Sequence, residues 1–138
     1  MRKMRIYKLV QLDSRGRVII PLNIREAIGL REGMSLMAIA DIEQRQVRLI
    51  PIADPEAKLA EFQIEISDAP GSLAKIASIL AECGVDLISS ESRTLRRGEL
   101  AEWHAIADIS KCKINIEKIK ERIIKEKIVK NVKIQKFS

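Results

Sequence analysis

Two stretches of this 138-residue chain carry side chains suited to recognition chemistry. In the first, Arg15 and Arg17 flank Gly16, and Arg25 follows a short way on. Arginine is a planar fork that can take guanine O6 and N7 together or clamp a phosphate. The second is Asp68-Ala69-Pro70-Gly71-Ser72-Leu73, a glycine turn leading into a helix start. The free N–H donors and positive dipole end of such a start suit a carboxylate. The other reactive types form no constellation. His104 is the only histidine and has no partner at motif spacing, so a strand-face or interface role is expected. Cys83 and Cys112 belong to no CxxC pair, which signals neither a zinc site nor a disulfide framework and fits a reducing cytoplasm. Ser89, Ser90 and Ser92 lack a GxSxG context, and no Walker or dinucleotide glycine pattern occurs. Neither an enzyme nor a cofactor or metal is expected.

The elements that must hold the first stretch are short. Asp13 to Gly16 is turn chemistry, joining a strand-like Ile6–Leu12 to a strand at Arg17–Ile20 in a hairpin with a basic tip. Pro21 closes that strand, because it lacks the N–H of a further ladder bond. Ile24, Ala27 and Ile28 then follow helical spacing, with Gly29 as the stop. Met34–Ala40 and Gln46–Ile50 predict a second hairpin around residues 41–45. A module of roughly 50 residues is marginal alone, so two copies are expected to interleave. Pro51 and Pro55 are expected to end that hairpin and stiffen a linker over 54–59. The resulting division is 1–53, linker, and 60–138.

The second module opens with the clean alternation of Phe62 to Ile66. A helix is expected over Ser72–Cys83, with Leu73, Ile76, Ala77 and Leu80 on one face and Gly84 as its stop. Strands at 85–94 and 100–108, a helix capped by Asn115 and a final strand around Val132 and Ile134 complete a β-α-β-β-α-β order. That order predicts an α+β, ferredoxin-like split unit with two helices on one face of an antiparallel sheet. The Lys-rich tract from Lys111 to Lys136 interleaves Ile and Glu and reads as a solvated helix face and strand edge.

Charge is unevenly placed. Residues 1–53 hold ten Lys/Arg against five Asp/Glu, whereas residues 54–138 hold fifteen against fourteen. A positive field on the first module suggests a polyanion, nucleic acid before an acidic membrane. Aromatic residues make up 3% of the chain, too few for the stacking platforms of single-strand binders. No apolar run is long enough to cross a bilayer, and the basic start MRKMR leads into no h-region, so a cytoplasmic protein without a membrane partner is expected.

Residues 6–52 closely resemble the AbrB/SpoVT-type swapped-hairpin DNA-binding domain, in the acidic turn, the GRVIIP run, the basic short helix and the IGL stop. Gly16, Arg17, Pro21, Arg25 and Gly29 match its pattern. The resemblance implies a β-barrel-like, intertwined homodimer presenting Arg15, Arg17 and Arg25 to double-stranded DNA. Val10 and Glu26 stand where basic residues often lie, and Lys8 and Arg15 can partly replace that charge. Residues 60–137 look like an ACT domain, through DAPGSL and the Gly84-Val85-Asp86-Leu87 run. This implies a small-molecule effector, an amino acid or similar metabolite, bound by Asp68, Ala69, Pro70, Gly71, Ser72, Leu73 and Asp86 at a dimer interface, where a carboxylate at Asp86 could pair with an ammonium group. Pairing of ACT domains would turn the dimer into a tetramer. Together the two resemblances imply a ligand-responsive transcriptional regulator. An antitoxin-like protein, or a metabolic sensor or regulatory subunit without DNA binding, are the alternatives.

Overall fold

The computed structural model describes residues 4–52 and 54–137, an α+β chain with two antiparallel sheets and, among these residues, three helices. The first three residues of MRKMR and position 53, at the expected domain boundary, lie outside them. The chain divides into two compact units, Met1–Pro55 and Glu56–Ser138.

Unit 1 holds helix α1 (Leu22–Ile28) and strands β1 (Ser35–Asp41) and β2 (Gln46–Ile52). The carbonyl of Pro21 accepts the Ile24 and Arg25 N–H groups at 3.1 and 3.0 Å, which starts α1. Gly29, at φ +83°, ends it, and the N–H groups of Gly29 and Leu30 both return to the Arg25 carbonyl. An alanine there would carry the left-handed penalty that glycine avoids. β1 and β2 pair antiparallel from Ser35↔Ile52 to Asp41↔Gln46.

Two expectations fail in this unit. The Ile6–Leu12 and Arg17–Ile20 segments form no strands; the turn between them is closed by the ladder-like Asp13 N–H to Arg17 carbonyl bond at 3.0 Å, with the Gly16 N–H to Asp13 carbonyl bond at 3.2 Å inside it. A two-stranded hairpin is marginal in water, and these segments have no apolar face to cover within one chain. Leu9 is 99% exposed and Ile19 78%. Pro51, in turn, does not stop the second hairpin but lies inside β2 opposite Leu36. Both strands of a two-stranded ribbon are edges, the position in which a strand tolerates proline. None of residues 4–52 is buried.

Unit 2 runs β3 (Leu59–Ser67), α2 (Ser72–Glu82), β4 (Asp86–Arg96), β5 (Leu100–Asp108), α3 (Ile116–Ile124) and β6 (Val129–Lys136). Its sheet order is β4-β5-β3-β6 with every neighbour antiparallel, so β3 and β4 run parallel with β5 inserted between them. Alternation decides which face is covered. Ala60, Phe62, Ile64 and Ile66 of β3 and Ala101, Trp103, Ala105 and Ala107 of β5 are buried in one core with Ile76, Ile79 and Leu80 of α2 and Ile119 and Ile123 of α3. Each large apolar side chain so enclosed contributes about 1.5–3 kcal/mol. Asn115 caps α3, its Oδ1 accepting the Lys118 N–H at 2.9 Å.

Candidate functional site

The basic turn of unit 1 is built by one carboxylate. Asp13 Oδ1 accepts the N–H groups of Arg15 and Arg17, each at 2.8 Å, and Oδ2 takes Arg17 Nε at 2.7 Å. The Arg17 N–H first and its guanidinium second hold the Asp13 carboxyl below the ordinary range, with the Arg15 N–H adding to them and desolvation opposing. The pair is exposed, so its worth lies less in stability than in aim. With Nε held by Asp13, the terminal nitrogens of Arg17 remain for a bidentate partner.

Arg15 and Arg17 therefore share one turn. Lys8 lies on the segment before the turn, open to solvent, and Arg25 sits on α1. Val10, on the same segment as Lys8, is exposed, and Glu26 stands beside Arg25 along an open groove of about 510 Å³. The apolar lining of that groove comes from Ile20, Leu22, Leu30, Met34 and Leu36.

In unit 2 the Asp68–Leu73 loop enters α2 through Gly71 at φ +84°, and no side chain caps the helix. Ala69, Pro70, Gly71 and Leu73 are exposed while Ser72 is buried. Asp68 holds the loop in place. Its Oδ2 accepts the Gly98 N–H at 2.7 Å and its own N–H reaches the Glu99 carbonyl at 3.2 Å, tying the loop to the β4–β5 turn. Asp86 is exposed at the start of β4, in register with Asp108, which faces Leu59 at the start of β3. Asp68 follows the other end of β3. Eight strand steps, about 26 Å, separate those ends. Within a single chain the register of β3, β5 and β4 thus sends Asp68–Leu73 and Asp86 to opposite ends of the sheet.

Some polar groups that organise unit 2 give no local signal in the sequence. His104 Nε2 lies 2.5 Å from Glu61 Oε1, joining β5 to β3 on the face turned away from the helices. Both occupy outward positions of alternating strands, which the sequence pattern shows, but their pairing depends on register. Asp108 Oδ1 accepts the N–H groups of Lys58 and Ser110 at 3.0 and 2.9 Å. Desolvation pushes the Asp108 carboxyl up, but the Ser110 backbone and hydroxyl, the Lys58 N–H and the Lys111 charge outweigh it and leave it lowered. Arg122 joins Glu82 of α2, which raises the guanidinium further, and it touches Cys83 Sγ at 3.6 Å. Burial first, and the neighbouring Cys83 second, push the Cys112 thiol up, an environment unsuited to a reactive thiolate. Among the described residues no three His, Cys, Asp or Glu side chains converge as a metal site, and no helix is long and apolar enough to cross a membrane.

No family model matches the chain, and no curated protein matches it. Among solved structures it is similar to the C-terminal domain of the MgtC protein from Mycobacterium tuberculosis, with a TM-score of 0.47 and 6% identity, over 62% of this chain and 94% of that one.

Proposed function

We propose that the chain is a DNA-binding transcriptional regulator, in which unit 1 is a swapped-hairpin dimerisation and DNA-binding module and unit 2 an ACT-type sensor of a small metabolite such as an amino acid. The observation that carries the reading is the unfinished state of unit 1. Its residues 4–52 bury no side chain, and exposed apolar groups along 4–12 and at Ile19 accompany an apolar groove and an Arg17 side chain held by Asp13 beside Arg15. A second copy supplying its own arm would finish that core and present two basic tips across a two-fold axis. A two-stranded basic ribbon is of the size that enters the major groove, where arginine reads guanine.

For unit 2, an effector held between two copies would take the Asp68–Leu73 loop from one chain and Asp86 from the other, which meets the separation found in each. Binding that favours one pairing of the sensor units would then change the spacing of the DNA-binding units through linkage. A second reading, that unit 2 only pairs chains, is favoured by the Asp68 carboxylate already being spent on the Gly98 N–H.

Equilibrium binding to duplex DNA over a range of salt tests the first part: affinity should fall steeply with salt, and replacing Arg15, Arg17 and Arg25 by alanine should flatten the response. No binding at low salt sinks the regulator reading. A thermal-shift screen with amino acids tests the sensor, since a ligand of the folded state alone must raise the melting temperature. A hit that leaves operator affinity unchanged would refute coupling.

A further inference from the structure

Charge in unit 2 is sorted in a way that its near-neutral total conceals. Residues 54–110 carry five Lys/Arg against eleven Asp/Glu, whereas residues 111–136 carry ten against three. Soluble surfaces ordinarily intersperse the two signs. The basic part is α3, the turn after it and β6, and β6 is an outer strand bonded only to β3.

Lysine recurs there at every third position, Lys127, Lys130, Lys133 and Lys136, and all four are exposed. None makes an ion pair among the described residues. The one acid close to them in sequence, Glu126, is taken by Lys75 at 3.0 Å, while Glu117 and Glu121 stand on α3. A step of three in a strand of period two alternates faces. Lys136 lies opposite Ala60 on the helix side, Lys133 opposite Gln63 on the open side, and Lys130 is the extra residue where the β3–β6 register shifts. The charge therefore straddles the strand edge, from Lys130 to Lys136 over roughly 20 Å. Duplex DNA presents about twelve negative charges along that length.

We propose that the outer edge of β6 is a second DNA contact, lying against the phosphate backbone of a duplex. The identity of the polyanion rests on the DNA-binding reading above; the surface stands on its own charge. Of the remaining groups along this edge, Asn131 and Gln135 are polar and Phe137, exposed just after Lys136, is a single ring, short of the row of aromatics that stacks single-stranded bases and of the apolar face that enters a bilayer. Charged side chains also guard sheet edges against pairing, but β4, the other outer strand, mixes Asp86 and Glu91 with Arg93 and Arg96, whereas β6 carries lysine and no acid.

The test compares the full chain with a Lys130→Gln, Lys133→Gln, Lys136→Gln variant and with the same three positions changed to Arg, on a random-sequence duplex. Each engaged lysine contributes about 0.9 to the slope of log affinity against log salt, so the Gln variant should lose roughly 2.7 per protomer while the Arg variant keeps the wild-type slope. Unchanged slope in the Gln variant overturns the proposal, as does equal loss in both variants, which would mark a folding defect. A further variant with Arg15, Arg17 and Arg25 changed to alanine separates the two surfaces. If it alone loses binding, unit 1 stands and the β6 edge falls; if only the Gln variant loses binding, the reverse holds. Absence of duplex binding by the wild type overturns both, and charge-dependent binding to vesicles of phosphatidylcholine and phosphatidylglycerol in that case would reassign the edge to a membrane.

Discussion

Replacing Gly84 by alanine puts a methyl group where unit 2 has no room. Gly84 sits at φ +86°, between α2 and β4, and a Cβ there would lie 2.9 Å from the Lys111 carbonyl oxygen and 3.3 Å from Cys112 Cα. Both obstacles are main chain, so neither can swing aside as a flexible side chain would. The left-handed backbone costs an L-residue about 1–2 kcal/mol, and the overlap adds about 1–3. Gly98 supplies the control. Its φ is +75° and nothing lies within 4 Å of its Cβ position, so alanine there meets the backbone cost alone. For a domain of this size 1 kcal/mol lowers the melting temperature by about 4–8 °C, so Gly98→Ala should cost roughly 4–16 °C and Gly84→Ala about 4–24 °C more. Trp103 is the only tryptophan and is 2% exposed in the unit 2 core, so a fluorescence melt reports on this unit alone. Equal drops for the two variants would refute this reasoning, because they would mean that the β5–α3 loop yields freely and does not fix the start of β4 where Asp86 stands.

If two copies swap arms as proposed, Leu9→Asp combined with Ile19→Asp should leave an isolated protomer unaffected and weaken self-association at least about a hundredfold, since burying each side chain is worth about 1.5–3 kcal/mol; sedimentation velocity that shows a monomeric wild type, or the same dimer for wild type and variant, would contradict a swapped arm. The Asp13 turn should be acid-labile: its folded carboxyl is lowered, so its contribution is complete above the ordinary value of 3.8 and disappears as pH falls through the folded value. The amide shifts of Arg15 and Arg17 should titrate together with a midpoint below 3.8 and lose the titration in Asp13→Asn, and a midpoint at or above 3.8 would count against the geometry. Asp68→Ala should speed hydrogen exchange at the Gly98 amide by about fivefold, the equivalent of one exposed hydrogen bond of about 1 kcal/mol, while Asp68→Asn retains an acceptor and most of the protection.

Much of unit 2 is legible in the sequence. The alternation from Phe62 to Ile66, the helical spacing of Ile76 and Leu80, the Asn115 cap and the Gly84 stop all act over a few residues, and the elements stand where those signals put them. Asp13 to Gly16 is equally plain as a turn, and α1 as a helix between Pro21 and Gly29. Less legible is any feature that needs a distant partner. The arms at 6–12 and 17–20 have strand composition but no ladder, and Pro51, which looks like a stop, continues β2 because its ribbon is all edge.

The candidate sites divide along the same line. Residue type and local spacing are enough to single out Arg15 and Arg17, because one nearby carboxylate organises their turn. Register alone separates Asp68 from Asp86 and brings His104 to Glu61 across 43 positions. Periodicity along a chain records which face an element buries, whereas pairing between elements is settled by the shared core, whose contacts join residues that carry no mark of one another.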